Sequence, residues 1–153
     1  MANMPNSIKY IVQSKSVNLS IGDGVDIEVD KSHYANTWRI DTVIVVKYRF
    51  YILSHYLTLY TYILPNLFGV RLLADIAEVL DVNMEEIRPA KCLNRKIIGS
   101  MNNMKEIIEK FMRRSQGGEM IEIQEFVNRT PFSYLDWGMP DKCWDKFNKT
   151  GKA

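Results

Sequence analysis

Residues 38–64 read WRIDTVIVVKYRFYILSHYLTLYTYIL, and this stretch decides the fold class. It is dense in β-branched and aromatic side chains, which suit a pleated, half-buried surface. Trp38–Val46 is a predicted strand, Lys47-Tyr48-Arg49 turns the chain, and Phe50–Ser54 is a second strand. His55-Tyr56 makes a further turn and Leu57–Leu64 a third strand, so the segment reads as an antiparallel meander ended by Pro65-Asn66. From Phe50 to Val70 there is no Asp, Glu, Lys or Arg, over about the length of a membrane span. Ser54, His55, Thr58, Thr61, four tyrosines, Pro65 and Asn66 are the wrong composition for a spanning helix, so the segment is expected to be buried strand with no membrane.

Working outward, Ile8, Tyr10 and Val12 alternate in Ile8–Gln13, an opening strand that can join the meander. Ser14–Leu19 is read as one short helical turn. Residues 20–32 hold Gly22-Asp23-Gly24 and the acidic set Asp23, Asp26, Glu28 and Asp30, and are expected to form an exposed acidic loop before His33–Asn36 leads back. Downstream, Leu72, Leu73, Ile76, Ala77 and Leu80 line one face of a helix over Val70–Asp81. Asn83–Arg88 is a short helix capped by Asn83, with Glu85 and Glu86 in its first turn and Pro89 closing it. Ala90–Ile98 is expected to be extended, as an additional strand. Met101–Arg114 is the second main helix, with Met101, Met104, Ile107, Ile108, Phe111 and Met112 inward and Gly117-Gly118 ending it. Glu119–Asn128 is a third helix, broken by Thr130-Pro131. Pro140–Phe147 is a terminal helix with Trp144 and Phe147 as docking residues, and 148–153 is a frayed tail. The expectation is one α+β domain over 1–153: a small, mainly antiparallel β-sheet (the meander) packed against two to four helices.

Chemistry concentrates at Lys91-Cys-Leu-Asn94-Arg95-Lys96-Ile-Ile-Gly99-Ser100-Met101-Asn102-Asn103. Here a basic segment delivers Gly-Ser to a helix start, where backbone N–H groups stand unpaired and the dipole is positive. Ser100 is the expected N-cap. Read plainly, Gly99-Ser100 is a good cap. Read functionally, Lys91, Asn94, Arg95, Lys96, Gly99, Ser100, Asn102 and Asn103 form an anion or nucleic-acid site. Residues 91–114 carry seven Lys/Arg against Glu106 and Glu109, which makes a local basic face or a solvated helix face laced by the Glu106–Lys110 pair.

Several function classes are excluded or disfavoured. The net charge of +2 gives no global basic field demanding nucleic acid, and an apolar fraction of 46% with 25% charged residues is ordinary for a globular chain. Cys92 and Cys143 are too few and too far apart for a zinc framework, and His33 and His55 show no ligand spacing, so no metal and no cofactor is expected. Two free thiols fit a reducing cytoplasm. The N-terminus lacks a basic region followed by an apolar one and is not a secretory signal. There is no Walker loop, dinucleotide glycine fingerprint, HExxH or nucleophile elbow. A lone histidine serves as a base or, more often, as a hydrogen-bonded structural residue. The three tryptophans and eight tyrosines supply either core or stacking surfaces.

Tyr34-Ala35-Asn36, Thr58-Leu59-Tyr60, Asn94-Arg95-x-x-x-Gly99-Ser100-Met101-Asn102, Asn128-x-Thr130-Pro131 and Pro140-Asp141 together resemble an uncharacterised bacterial and phage family known as a domain of unknown function. The resemblance runs from about residue 8 to 147, and the Asn-Arg…Gly-Ser-Met-Asn piece is its most specific part. The chain departs from the family pattern at Tyr34, where the family has Trp, and at Asn103, where it has an acidic residue. Its segment between Asp41 and Phe50 is longer. The resemblance carries no activity, and implies a phage or mobile-element context. Three functions follow as expectations. The first is a cytoplasmic, non-enzymatic binding module that docks on a protein partner through the aromatic meander or an exposed strand edge. The alternative is phosphate or nucleic-acid binding at Arg95–Asn103, with Gly99–Asn102 backbone N–H groups as donors. The second alternative is a nuclease-like toxin enzyme with His33 or His55 as base and Arg95 as electrostatic stabiliser.

Overall fold

A computed structural model of the chain describes residues 8–19, 21, 25–65, 71–114 and 119–151. Among these described residues six strands form one sheet in the order β2-β6-β1-β3-β4-β5. The meander is its right half: β3 (Thr37–Val45), β4 (Tyr48–His55) and β5 (Thr61–Pro65) pair antiparallel, with Trp38 opposite His55 and Ile52 opposite Ile63. The left half is parallel. β1 (Lys9–Gln13) runs alongside β3 and β6 (Ile87–Lys91), and β6 alongside β2 (Ile27–Glu28). The fold is thus α+β, with a mixed sheet.

Strand alternation sends successive side chains to opposite faces, and both faces are covered. On one, Val12, Val43, Val45, Phe50, Ile52 and Ile63 pack with Ile97, Met101, Met104, Ile108 and Met112 of α2 (Arg95–Arg114) and with Ile123 and Val127 of α3 (Met120–Asn128). On the other, Ile11, Trp38, Ile40, Leu53, Leu64 and Ile87 pack with Leu72, Ile76 and Ala77 of α1 (Leu72–Leu80). Trp144 of α4 (Pro140–Thr150) joins this second cluster. The two main expected helices therefore lie on opposite faces of the sheet.

Several boundaries differ from the sequence reading, each for a physical reason. The third meander strand begins at Thr61, because residues 56–58 form a turn in which Leu59 N–H bonds the His55 carbonyl. Asn83–Arg88 is a single 3-10 turn, Met84–Glu86, whose Glu86 carboxylate accepts from Asn83 N–H; Ile87, Arg88 and Pro89 belong to β6. Pro89 fits in a strand because β2 pairs only with Ala90 and Lys91, beyond it. Residues 14–19 make only a turn at Lys15-Ser16. The described part of the acidic loop is not free: Ile21 and Val29 are buried, Ile27–Glu28 adds a strand, and the 3-10 turn Lys31–Asn36 follows. Residues 20 and 22–24 of that loop, Asn66, and Gly117-Gly118 lie outside the described residues. The expected frayed tail continues α4 to Thr150, where Gly151 at φ 74° ends it in the left-handed conformation.

The free edge of β5 is closed by side chains. Asn128 of α3 accepts from Thr61 N–H at 2.9 Å and donates to the Thr61 carbonyl at 2.8 Å, as a neighbouring strand would. One helical turn earlier, Gln124 accepts from Ile63 N–H at 2.8 Å.

Candidate functional site

β6 passes into α2 through Cys92-Leu93, and the helix begins earlier than Gly99-Ser100 suggested. Asn94 is the cap: its Oδ1 accepts from the N–H groups of Lys96 and Ile97, each at 3.1 Å. The expected Ser100 cap is therefore overturned, and Gly99, Ser100, Met101 and Asn102 sit inside α2. Their backbone N–H groups belong to the helix ladder and are not anion donors. The reason is apolar spacing. Ile97 extends the buried stripe Met101, Met104, Ile108 and Met112 by one more turn, and burying it outweighs the roughly 1 kcal/mol that a helical glycine costs.

Asn94 also donates through Nδ2 to the Tyr34 hydroxyl at 3.1 Å, and that hydroxyl lies 3.6 Å from Cys92 Sγ. The Tyr34 ring packs against Tyr56 at 4.9 Å, and Tyr134 donates to the Tyr56 carbonyl. A second knot centres on His55. Its Nδ1 accepts from Thr58 N–H at 3.3 Å, so Nε2 carries the proton and donates to the Ala35 carbonyl at 2.9 Å. The two chain segments Tyr34-Ala35-Asn36 and Thr58-Leu59-Tyr60, far apart in sequence, are thus joined through His55, and the first is joined to Asn94.

Five of the eight sequence-selected residues come together. Arg95, Lys96, Gly99, Ser100 and Asn103 form one wall of a groove of about 370 Å³; Phe132, Ser133 and Tyr134, at a 3-10 turn, form the other. The turn at 133–135 has no counterpart in the sequence reading, which places a helix breaker at Thr130-Pro131 and the next element at Pro140. Arg95 and Lys96 are exposed, and among the described residues neither has an ion-pair partner. On the same helix Lys105 holds Asp41 at 2.8 Å and Arg113 holds Glu109 at 2.8 Å, while Lys110 and Arg114, like Arg95 and Lys96, make no ion pair among the described residues. Asn102 is exposed outside the groove walls, Asn94 is committed to capping, and Lys91 faces a separate crevice 4.0 Å from Glu28.

Gly99 has no structural reason to be glycine. Its backbone is ordinary helix, and a Cβ there would meet nothing within 4 Å. It nevertheless lies exposed in the middle of the groove wall.

The remaining candidates are placed elsewhere. His55 is fully buried between Trp38, Trp144 and Phe147, with ring distances of 4.7, 5.2 and 5.0 Å. Burial lowers its pKa to about 4, so the imidazole is neutral and out of reach of a substrate. His33 braces the turn at Asp30, with Nδ1 3.1 Å from the carboxylate. Neither histidine lines the Arg95 groove. Two parts of the meander are covered from within: α4 stacks Trp144 on Tyr60 at 5.0 Å, and α3 covers the β5 edge, while Ile27 at the β2 edge and Ile44, Val46 and Tyr48 at the β3–β4 hairpin are exposed. Among the described residues no group of three or more His, Cys, Asp or Glu gathers to hold a metal, and no helix is long and apolar enough to cross a membrane.

No curated protein and no solved structure matches the chain. Residues 72–143, which run from the start of α1 into α4 and include the whole groove, match the family model of a domain of unknown function (DUF6933); over this part the chain is similar to an uncharacterised family.

Proposed function

We propose that the chain is a non-catalytic binding module whose α2 groove takes phosphate groups, with the backbone of a nucleic acid as the ligand. The observation that carries this reading is Gly99. A glycine on the exposed face of a helix costs about 1 kcal/mol relative to alanine, and no contact or backbone angle of the folded chain asks for it. It keeps the helix surface bare between two unpaired cations, Arg95 and Lys96, and the polar side chains of Ser100, Asn103 and Ser133. That arrangement lets a phosphate-bearing backbone lie close along the helix. The cations supply charge, and the amide and hydroxyls supply hydrogen bonds. Recognition is by side chains, because Asn94 already takes the Lys96 and Ile97 N–H groups at the helix start.

The test is fluorescence anisotropy of labelled single-stranded RNA, single-stranded DNA and duplex DNA, titrated with the protein over a range of salt. Binding should weaken linearly with the logarithm of salt, and a double Arg95→Ala, Lys96→Ala variant should lower that slope by about 1.5. Gly99→Ala separates structure from function. It should raise stability by about 0.5–1 kcal/mol while weakening binding. Absence of binding to all three probes, affinity unchanged in both variants, or a destabilised Gly99→Ala protein would refute the proposal.

A further inference from the structure

A crevice of about 550 Å³ lies outside the carboxyl ends of the parallel strands β1, β6 and β2, where open α/β sheets take their ligands. It is separate from the α2 groove and shares no residue with it. Its floor holds Arg39, which projects from β3 on the face that carries α2. Arg39 is part-buried, its Nε is shut off from solvent, and that Nε has no hydrogen-bond partner. Among the described residues Arg39 has no ion pair either. A part-buried guanidinium without a counter-charge is costly, since its fork of donors is normally satisfied when taken out of water. Behind it the fully buried Tyr56 hydroxyl is likewise unpaired, within electrostatic reach of both Arg39 and Cys92.

The rest of the lining limits what can answer Arg39. Lys15 and Lys91 carry positive charge at the crevice, and Asp26 and Glu28 negative charge. Among the described lining residues, counting Arg39, the balance is three cations against two carboxylates, a single positive charge. A polyphosphate is mismatched to that balance, and a monoanion fits it. Val12, Ala90 and Ile98 give the same crevice an apolar wall. We propose that this crevice is a binding site for a small monocarboxylic acid, with the carboxylate paired to the Arg39 guanidinium and an apolar body laid against Val12, Ala90 and Ile98. A carboxylate matches the planar guanidinium fork with two parallel hydrogen bonds.

The crevice carries its own reporters. Arg39 Nε–Hε gives a distinct nitrogen–proton NMR signal, assigned by its loss in Arg39→Lys and Arg39→Met. Cys92 is a wall residue, whereas Cys143 lies in a different groove and serves as an internal control. The probes are octanoate, phenylacetate, phenyl phosphate and inorganic phosphate, added to the full chain. Octanoate or phenylacetate should shift the Arg39 signal saturably. At about ten times the dissociation constant it should slow iodoacetamide alkylation of Cys92 about ten-fold, with Cys143 unchanged. Arg39→Met, which keeps the apolar stem, should abolish both effects. The proposal is overturned if neither carboxylate moves the Arg39 signal, or if Arg39→Met binds them as well as the native chain. Preference for phenyl phosphate or inorganic phosphate over both carboxylates would overturn it as well. Should Arg39→Met fail to fold, the native chain's Arg39 signal and the Cys92 to Cys143 comparison decide alone.

Discussion

Lowering the pH from about 7.5 to about 5 should remove about 2 kcal/mol of stability through His55 alone. In the folded chain burial holds its pKa near 4, against an ordinary value of 6.5 once unfolded. Between those values the unfolded chain binds a proton that the folded chain refuses. The stability is therefore complete above the unfolded pKa and drains away as the pH falls through 6.5 towards 4. At about pH 5 the imbalance is a factor of about 30 in the folding equilibrium, and below the folded pKa it levels off near 3.4 kcal/mol. Proton entry also breaks the knot, because an imidazolium cannot accept the Thr58 N–H bond at Nδ1. The assay is urea denaturation at the two pH values for the native chain and for His55→Gln, which can still donate to the Ala35 carbonyl. Trp38 and Trp144, whose rings lie against His55, provide the fluorescence signal. The native chain should lose stability across this window and the variant should not. Equal losses in both would refute the reasoning.

Three further outcomes are expected. Asn128→Leu orphans both the Thr61 N–H and carbonyl and should cost about 3 kcal/mol in a urea titration. Lys105→Met should cost about 2 kcal/mol by the same measure. Burial on its own would raise the Asp41 carboxyl, and Lys105, the Ser14 hydroxyl and Thr42 N–H together hold it below its ordinary value. The contribution of Asp41 is present above that ordinary value and is lost as the pH falls through its lowered one, so acid titration of Lys105→Met should show a smaller loss than the native chain. Val46 opens the β3–β4 turn at φ 55°, a conformation unfavourable for a β-branched residue; Val46→Gly should raise the melting temperature by several degrees, equivalent to about 1 kcal/mol.

The meander and α1, α3 and α4 could be read from the sequence because their periodicity, breakers and docking aromatics all agree. The start of α2 could not, because two local signals competed. Gly99-Ser100 has the chemistry of a cap, while Asn94 has both that chemistry and the burial of Ile97 behind it. The four-residue step from Ile97 to Met101 was the available clue. The parallel half of the sheet is obscured at 83–89, where Asn83, Glu85, Glu86 and Pro89 read as a short helix with its closing proline, whereas Pro89 lies inside β6 and the two-residue β2 tolerates its missing N–H. Nothing in the sequence distinguishes Arg39 from the other polar residues of its strand, Thr37, Asp41 and Thr42. Only the packing of α2 over that face reveals that nothing pairs with it. The groove residues were found by their sequence neighbourhood, and the opposite wall at 132–134 required the tertiary fold.

The way β5 is closed has a consequence for how this protein fails. The latch is made of side chains on a nine-residue helix, not of another strand. Helices of that length open locally far more readily than a sheet dissolves. When α3 lifts, a strand with Ile63 and Leu64 at its centre presents unpaired backbone while the rest of the chain is still folded. Such an edge recruits the same edge of another molecule. Aggregation on warming should therefore set in below the global unfolding transition, at the temperature where α3 lets go.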